Sequence, residues 1–208
     1  LDDYAFLTQG FLSLYETTFD PKYLQQAKFL ADEMIRLFAD KTAGGFFFSA
    51  KDDQALILRT KDAYDGAMPS GNSGAALVLG RLGRLMMVKN YEDKAHATVD
   101  AFSADIRLSP TGFTHMLSAF DYLLGPSKEI VIAGDQNDPN TQAMLRGINK
   151  YFIPNKVGCV HPTNGQQAKD IQSLVPFVRD QNMLNGKTTA YVCQNYHCQF
   201  PTNDLDKF

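Results

Sequence analysis

The spacing of apolar residues changes once along this chain, near residue 126, and that change constrains the fold more than any other feature. Before it, apolar side chains recur every three or four residues, the period of one helix face, as in Tyr4, Leu7, Phe11 and Leu14. After it, residues 129–134 form a short apolar run rich in β-branched residues, which favours a strand. We therefore predict a mainly α fold over residues 1–125 and a small α/β subdomain over residues 126–208.

The first part is predicted to contain five helices. Asp20-Pro21 suits a helix start, because proline has no amide hydrogen to lose in the first turn, and Asn90 with Asp93 suits another. The expected helices have their apolar faces within 4–14, 23–38, 78–86, 95–106 and 113–123, and the runs 46–48 and 55–58 predict a small hairpin. Short connections favour antiparallel neighbours. The N-termini of the first, third and fifth helices should therefore lie on one side.

The second part has the pattern of a βαβ unit. Strands are predicted at 129–134, 156–160 and 188–193, with a helix starting at Asp138-Pro139 and another helical stretch at 166–174. Strands that alternate with helices are typical of a partly parallel sheet.

Composition narrows the possible partners and the compartment. The net charge is −3, without the basic footprint that a nucleic-acid partner requires, and no apolar stretch approaches the ~20 residues of a membrane span. Three cysteines, an odd number, argue against a disulfide framework and for a reducing compartment, with the cytoplasm as the default. The chain begins without Met and runs straight into a helical pattern, so we expect a C-terminal fragment of a larger protein.

Four segments carry a family resemblance. They are Asp2-Asp3-Tyr4-Ala5-Phe6-Leu7, the helix that ends at Gly44-Gly45-Phe46-Phe47, the string Lys61 to Ser73 with its Asp-Gly-Ala-Met-Pro-Ser-Gly-Asn-Ser core, and Tyr191 to Cys198. Together they resemble the thioredoxin-domain-containing spermatogenesis-associated protein family and its uncharacterised bacterial relatives. The similarity extends over nearly the whole chain.

The resemblance implies a fold and the location of a site. Members of that family have a thioredoxin-like domain followed by a six-hairpin (α/α) toroid similar to sugar epimerases and glycosidases. On that basis residues 1–125 are half of such a toroid, and the thioredoxin-like domain and the other half lie N-terminal to this chain. The resemblance places Asp3 at the mouth of the toroid, with Tyr4 beside it as a candidate substrate-binding residue. It implies no established reaction.

The loop from Asp65 to Ser73 is the strongest candidate binding segment. Gly66 allows close approach of a ligand, and Asp65, Ser70 and Asn72 offer carboxylate, hydroxyl and amide groups, a mixture that suits a polyhydroxylated ligand. The alternative is an elaborate helix N-cap, in which these side chains satisfy only backbone amides.

Two further features bear on catalysis. His115, in the first turn of the fifth helix, is a candidate general acid or base, because imidazole as a group can exchange protons near neutral pH; a structural histidine is the alternative. Asp3 and Asp65 could form the pair of carboxylates that glycoside hydrolysis needs. Helix-dipole stabilisation is the competing role for Asp3. His96, on the fourth helix, is expected to be exposed.

The cysteines raise the questions of metal and redox chemistry. Cys159, His161, Cys193, His197 and Cys198 could be compared with a zinc site, but the usual Cys-x2-Cys pair is lacking. We therefore predict buried free cysteines and no metal or other cofactor. A redox role would require Cys193 and Cys198 to be close and exposed, although their spacing differs from Cys-x-x-Cys.

Three classes of function remain open from the sequence. The first, which the sequence favours, is binding or processing of a carbohydrate-like small molecule, as in a sugar isomerase, epimerase or glycoside hydrolase, with the fragment alone inactive. The second is a thiol-redox accessory to the thioredoxin-like domain, and the third is a non-catalytic scaffold. Apolar flanks of the first helix, at 6–14, should be covered by the N-terminal part of the protein or by self-association.

Overall fold

The structure is a computed structural model that describes residues 1–53 and 58–205. Two compact units divide the chain. The first comprises Leu1–Tyr15, Lys22–Arg84 and Val88–Gly125, and the second comprises Glu16–Pro21, Leu85–Met87 and Pro126–Phe208. Within the described ranges, none of the helices has both the length and the apolar character needed to cross a membrane.

Helices dominate the N-terminal part of the chain. They are α1 (Asp2–Thr18), α2 (Pro21–Phe38), α3 (Gly71–Met86), α4 (Lys89–Ala101), α5 (Ser103–Leu108) and α6 (Thr114–Leu124), with a 3-10 turn at Pro110–Gly112. The prediction of a mainly helical fold is confirmed. The toroid that the resemblance implies stays a prediction.

The predicted fourth helix is wrong in two details. It is interrupted at Phe102, whose φ of −110° and ψ of 10° end α4 before α5 begins. Its start is also two residues earlier than predicted, because the N-cap is Val88, which is extended (φ −97°, ψ 91°), and not Asn90, so that Lys89 opens the helix. Lys89 Nζ then pairs with Asp93 at 2.5 Å, so Asp93 stabilises the first turn by an ion pair rather than as part of a cap.

The predicted hairpin after α2 falls partly outside the described residues, which omit 54–57. In the described part, Phe46 forms an antiparallel bridge with Ala39 instead. The Phe48 N–H donates to the carbonyl of Thr60 at 2.8 Å. The loop between α2 and α3 is thus fastened back on the end of α2.

A buried apolar cluster joins the loop before α3 to α6. Its fully or nearly fully buried members are Ala63, Ala76, Val99, Phe113, Met116 and Ala119, with Leu77, Phe102, Ile106 and Leu123 packed around them. Burying a side chain the size of Met116 or Phe113 stabilises a fold by about 1.5–3 kcal/mol. The packing fixes the position of the α6 N-terminus, where His115 lies.

The second unit is an α/β layer around a four-stranded mixed sheet. Its elements are β1 (Lys128–Ala133), α7 (Pro139–Lys150), β2 (Lys156–His161), α8 (Gly165–Leu174), β3 (Thr189–Gln194) and β4 (His197–Cys198), with a 3-10 turn at Pro176–Asp180. The strand order is β2-β1-β3-β4. β1 is parallel to β2 and antiparallel to β3, which confirms the βαβ pattern.

Local sequence explains the crossover helix of this unit. Asp138 precedes α7 as predicted, and its carboxylate accepts from the N–H groups of Asn140 and Thr141. Pro139 follows in the first turn, where its missing amide hydrogen has no cost. The buried side chains of α7, Met144, Leu145 and Ile148, then pack on Ile130 and Ile132 of β1.

Candidate functional site

Asp65 is the residue that organises the predicted site. It is 8% exposed. One carboxylate oxygen accepts from the Ser70 N–H at 2.9 Å, and the other accepts from the His115 and Met116 N–H groups at 2.8 and 3.0 Å. Its own N–H donates to the Gly112 carbonyl at 2.7 Å. Asp65 therefore caps α6 from 50 residues away, which fits the lack of a side-chain cap from Phe113.

The N-termini of three helices lie next to one another in this region. Asp65 joins the residue before α3 to the first turn of α6. A Cβ added to Gly71, at the start of α3, would lie 2.1 Å from an Asp2 carboxylate oxygen, so α1 begins against α3. The prediction that these three N-termini lie on one side is confirmed.

Asn72 is buried with its amide fully engaged. Its exposure is 0%. The side-chain oxygen accepts from the Phe46 N–H at 2.7 Å, and the amide nitrogen donates to the carbonyls of Phe46 and Asp62 at 2.9 and 2.8 Å. Asn72 thus fastens the loop after α2 to the first turn of α3, and a ligand would have to compete with all three bonds.

Ser70 is the N-cap of α3. Its hydroxyl accepts from the Ser73 N–H at 3.1 Å and shares a second bond with the Ser73 hydroxyl at 2.8 Å. Gly66 lies on the exposed side of the same loop, where an added Cβ would meet the ring of Tyr64 at 3.5 Å. The N-cap alternative for Ser70 is thereby supported by direct contacts.

Asp3 and Tyr4 are placed differently from these loop residues. Asp3 is exposed in the first turn of α1, and the described contacts do not bring it to Asp65. Tyr4 packs on Phe38, with the ring centroids 5.4 Å apart. A cavity of about 40 Å³ does lie between the starts of α1 and α3, and it is lined by Asp2, Asp62, Ser70 and Asn72 among others. Asp2, and not Asp3, faces the rim.

The imidazole ring of His115 has one nitrogen that is unsatisfied within the described residues. Its backbone N–H is held by Asp65, while its Nε2 is buried and has no hydrogen-bond partner among residues 1–53 and 58–205. An unmade hydrogen bond of a buried polar atom costs about 1–3 kcal/mol. His96, by contrast, is exposed on α4, as predicted.

Lys61, which opens the sequence string of the resemblance, holds the turn after α2. Its ammonium bonds the Asp40 carboxylate at 2.8 Å and the Gly44 carbonyl at 2.9 Å. This bond and those from Thr42 and Ala43 hold the pKa of the Asp40 carboxyl well below its usual range. The turn from Asp40 to Gly45 is thus stabilised from both sides.

The prediction of free cysteines is wrong for two of the three. Cys193 in β3 and Cys198 in β4 are paired directly across the strands and form a disulfide. The reason is the turn between them, since Asn195 and Tyr196 both have positive φ (52° and 63°), the conformation of a tight two-residue hairpin. Cys159 remains a buried thiol in β2.

The two sulfur atoms differ in access and share one polar neighbour. Cys193 is 1% exposed, whereas Cys198 is exposed at the edge of the sheet. The side-chain amide of Gln181 donates toward Cys198 Sγ at 3.3 Å and Cys193 Sγ at 3.6 Å. The two cysteines are therefore close, as a redox role requires, but only Cys198 is exposed; attack on a disulfide needs access to one of its two sulfur atoms.

A cleft of about 620 Å³ opens beside the disulfide. Its lining combines aromatic rings, the exposed cysteine and Gln181, and consists of Phe177, Asp180, Gln181, Tyr191, Tyr196, Cys198, Gln199, Phe200 and Pro201. Burial raises the pKa of the Tyr191 phenol, whose O–H donates to the Asn182 carbonyl at 2.6 Å. The cleft was not predicted, because its residues come from separate segments that only the β3–β4 hairpin brings together.

A second, more polar crevice of about 730 Å³ lies at the carboxyl ends of β1 and β2. Residues that follow these strands line it, among them Asp135, Asn137, Thr163 and Asn164, together with Lys187 and Thr188. This is the edge of a parallel pair where α/β proteins commonly bind ligands. At this edge the Asp138 carboxylate already accepts hydrogen bonds from the first amides of α7.

Metal binding at the cysteines is not supported by their arrangement. Across the described ranges there is no group of three or more His, Cys, Asp or Glu side chains that could hold an ion. His161 is fully buried and its two ring nitrogens contact the Gln181 carbonyl at 2.7 Å and the Gln172 amide at 2.9 Å. The absence of zinc stays a prediction.

Comparison with known proteins supports the family resemblance. The chain is 36% identical over 205 residues to spermatogenesis-associated protein 20 of Homo sapiens, and 34% identical over the same length to its counterpart in Mus musculus. An uncharacterised protein of Caenorhabditis elegans is 28% identical over 209 residues. The matches cover 98% of this chain but only 26% of the human protein, so the chain spans about a quarter of these relatives. No family model matches the chain.

Proposed function

We propose that this chain exchanges electrons with a dithiol protein through the Cys193–Cys198 disulfide. The observation that carries the proposal is a disulfide with one buried and one exposed sulfur, both within reach of the Gln181 amide. A donor next to sulfur favours the thiolate, the form in which thiols attack and leave. The resemblance to proteins with a thioredoxin-like domain supplies a partner of suitable chemistry.

The exchange proceeds in two balanced steps. A thiolate of the partner attacks the exposed Cys198 Sγ, the bond to Cys193 breaks, and Cys193 leaves as a thiolate that takes up a proton. The second thiol of the partner loses its proton and attacks the partner's own sulfur in the mixed disulfide, and Cys198 leaves as a thiolate that takes up the second proton. This chain gains two electrons and two protons, and the dithiol of the partner becomes a disulfide.

The described contacts favour this proposal over chemistry at the loop before α3. Asp65 and Asn72 each make three short hydrogen bonds to backbone groups, and the Ser70 hydroxyl makes two. Side chains whose polar atoms are already bonded to backbone groups hold the loop in place and have few atoms left for a ligand. The disulfide, in contrast, has a cleft of molecular size beside it and a sulfur open to attack.

Trapping of the mixed disulfide tests the proposal. The oxidised 208-residue chain is mixed with a reduced thioredoxin whose second active-site cysteine is serine, then quenched with acid, alkylated and mapped by mass spectrometry. We expect the thioredoxin on Cys198 and an alkyl group on Cys193, because only the Cys198 sulfur is accessible. The matched control is Cys159→Ser, which should react at an unchanged rate.

Two results would contradict the proposal. One is a disulfide that reacts only after the chain has been unfolded in urea. The other is attachment of the thioredoxin to Cys193 or Cys159 in the folded chain. The Cys198→Ser variant, which has no disulfide to attack, gives the background of the assay.

A second candidate function, binding of a carbohydrate-like ligand at the rim of α1, α3 and α6, is favoured by the unpartnered Nε2 of His115. The ligand hydroxyl would supply the hydrogen bond that this atom lacks. Saturation-transfer NMR with glucose, galactose and N-acetylglucosamine tests the idea. We expect His115→Gln to weaken sugar binding about tenfold, the equivalent of one lost hydrogen bond, and His96→Gln to leave it unchanged. Equal affinity of both variants would remove this candidate.

The scaffold alternative rests on the first helix. Leu7 and Leu14 of α1 are 53% and 45% exposed, on the flank that was expected to be covered by another part of the protein. Covering by the N-terminal part or by self-association stays a prediction.

A further inference from the structure

We infer that the cleft beside the disulfide is a docking site for the cysteine-bearing segment of the reducing partner, bound as an extended peptide with an apolar side chain next to its cysteine. This inference rests on the proposed function, because it names the substrate of the same disulfide. Three features of the cleft support it, namely an unsatisfied acceptor, an open strand edge and an aromatic wall.

The unsatisfied acceptor is the side-chain oxygen of Gln181. The residue is only 6% exposed, yet this oxygen has no hydrogen-bond partner among the described residues, while its amide nitrogen is directed at the two sulfur atoms. A buried carbonyl oxygen needs an N–H donor. A peptide backbone brings such donors to the sulfur that the partner must attack.

The open edge is the segment that carries Cys198. β4 is the outermost strand on its side of the sheet. The Gln199 N–H donates inward to the Val192 carbonyl at 2.9 Å. Because inward and outward groups alternate along an antiparallel strand and Cys198 precedes Gln199, the backbone N–H and C=O of Cys198 are directed away from β3. An extended peptide can add to such an edge, and its cysteine would then lie opposite Cys198.

The aromatic wall, formed by Phe177, Tyr196 and Phe200, indicates which side chains the cleft would accept. Tyr196 and Phe177 pack with their ring centroids 5.6 Å apart, and Phe200 is 100% exposed. A fully exposed phenylalanine that lines a cleft is well placed to cover an apolar side chain of a bound segment. Asp180, also in the lining, favours a neutral or basic segment over an acidic one.

Binding can be measured without any electron transfer. The probe is an acetylated and amidated hexapeptide, Gly-Phe-Ser-Val-Lys-Gly, in which serine replaces the cysteine, titrated into the oxidised chain and followed by NMR shifts or calorimetry. We expect saturable binding that Phe200→Ala weakens at least about fivefold, in line with the loss of ~1 kcal/mol or more of aromatic contact. Gln181→Leu should weaken it about tenfold, the equivalent of one unmade hydrogen bond.

Phe152→Ala is the matched control, because Phe152 is 92% exposed in the same unit but does not line the cleft. Replacing a fully exposed phenylalanine leaves the core intact, so Phe200→Ala keeps the test valid even if Gln181→Leu is unstable. The inference is overturned if the peptide does not bind, or if Phe200→Ala and Phe152→Ala have equal effects.

The outcome also separates this inference from the proposed function. Reduction of the disulfide by dithiothreitol, which is too small to need the cleft, should proceed equally fast in Phe200→Ala and in the unaltered chain. Exchange without peptide binding would leave the redox proposal standing and remove the docking site. Peptide binding without exchange would remove the redox proposal and with it the reducing partner, and would leave the cleft only as a peptide-binding site.

Discussion

The Asp65→Ala variant is expected to lose about 3 kcal/mol of unfolding free energy, measured by urea denaturation. The alanine removes an acceptor for three backbone N–H groups, those of Ser70, His115 and Met116. Loss of a helix cap costs ~1 kcal/mol, and hydrogen bonds to a charged group contribute ~1.5–3 kcal/mol each, although such values do not add fully. The amides of His115 and Met116 also open the first turn of α6, where no local side chain replaces the carboxylate.

Two comparisons make this result interpretable. Asp65→Asn keeps one acceptor oxygen and should lose clearly less stability than Asp65→Ala. Asp3→Ala removes an exposed carboxylate and should stay within ~1 kcal/mol of the unaltered chain. If Asp65→Ala proved as stable as Asp3→Ala, the carboxylate would not be the cap of α6, and its committed hydrogen bonds would no longer argue against a catalytic role.

The Gly44→Ala variant should be destabilised by a similar amount, about 3 kcal/mol or more. Gly44 has a φ of +74°, which costs an L-residue ~1–2 kcal/mol. In addition, the new Cβ would lie 2.4 Å from the backbone oxygen of Ala97 in α4, and backbone cannot rotate away as a side chain can. The same urea titration measures the loss.

The Gly186→Ala variant separates the cost of the backbone conformation from the cost of the steric clash. Gly186 also has a positive φ, of +68°, but no atom of residues 1–53 and 58–205 beyond its chain neighbours lies within 4 Å of an added Cβ. Its replacement should cost only the conformational part, ~1–2 kcal/mol. Equal losses at the two positions would mean that α4 moves away from the turn without a penalty, and that the close approach of Gly44 to Ala97 is not needed for the fold.

The helices and the βαβ unit could be predicted because their signals are local. Apolar spacing identifies α1 to α3, and Asp138-Pro139 identifies the start of α7, since a cap and its amides are neighbours in sequence. The break at Phe102 was missed because α4 and α5 share one apolar period. No residue at the break has a backbone preference that ends a helix.

The candidate site was predicted only in part, because its contacts are long-range. The loop that contains Asp65 and Asn72 stood out from its residue types, but the sequence could not show that their partners are His115 and Phe46. The disulfide was not predicted, because the spacing of Cys193 and Cys198 differs from Cys-x-x-Cys. Two cysteines at this spacing can also face each other across a tight hairpin. The Asn195-Tyr196 turn, with asparagine at a position of positive φ, was the available signal.

The small size of the loop that the disulfide closes has a consequence for the unfolded chain. Cys193 and Cys198 are separated by five positions. The entropy that such a cross-link removes from the unfolded state corresponds to about 2 kcal/mol, against ~4.7 kcal/mol for a loop of 100 residues. The fold therefore depends on this bond much less than it would on a bridge between distant segments. Opening and closing it can change the chemistry of one sheet edge while the rest of the chain stays native, and the hairpin can form its bond without contacts from distant segments.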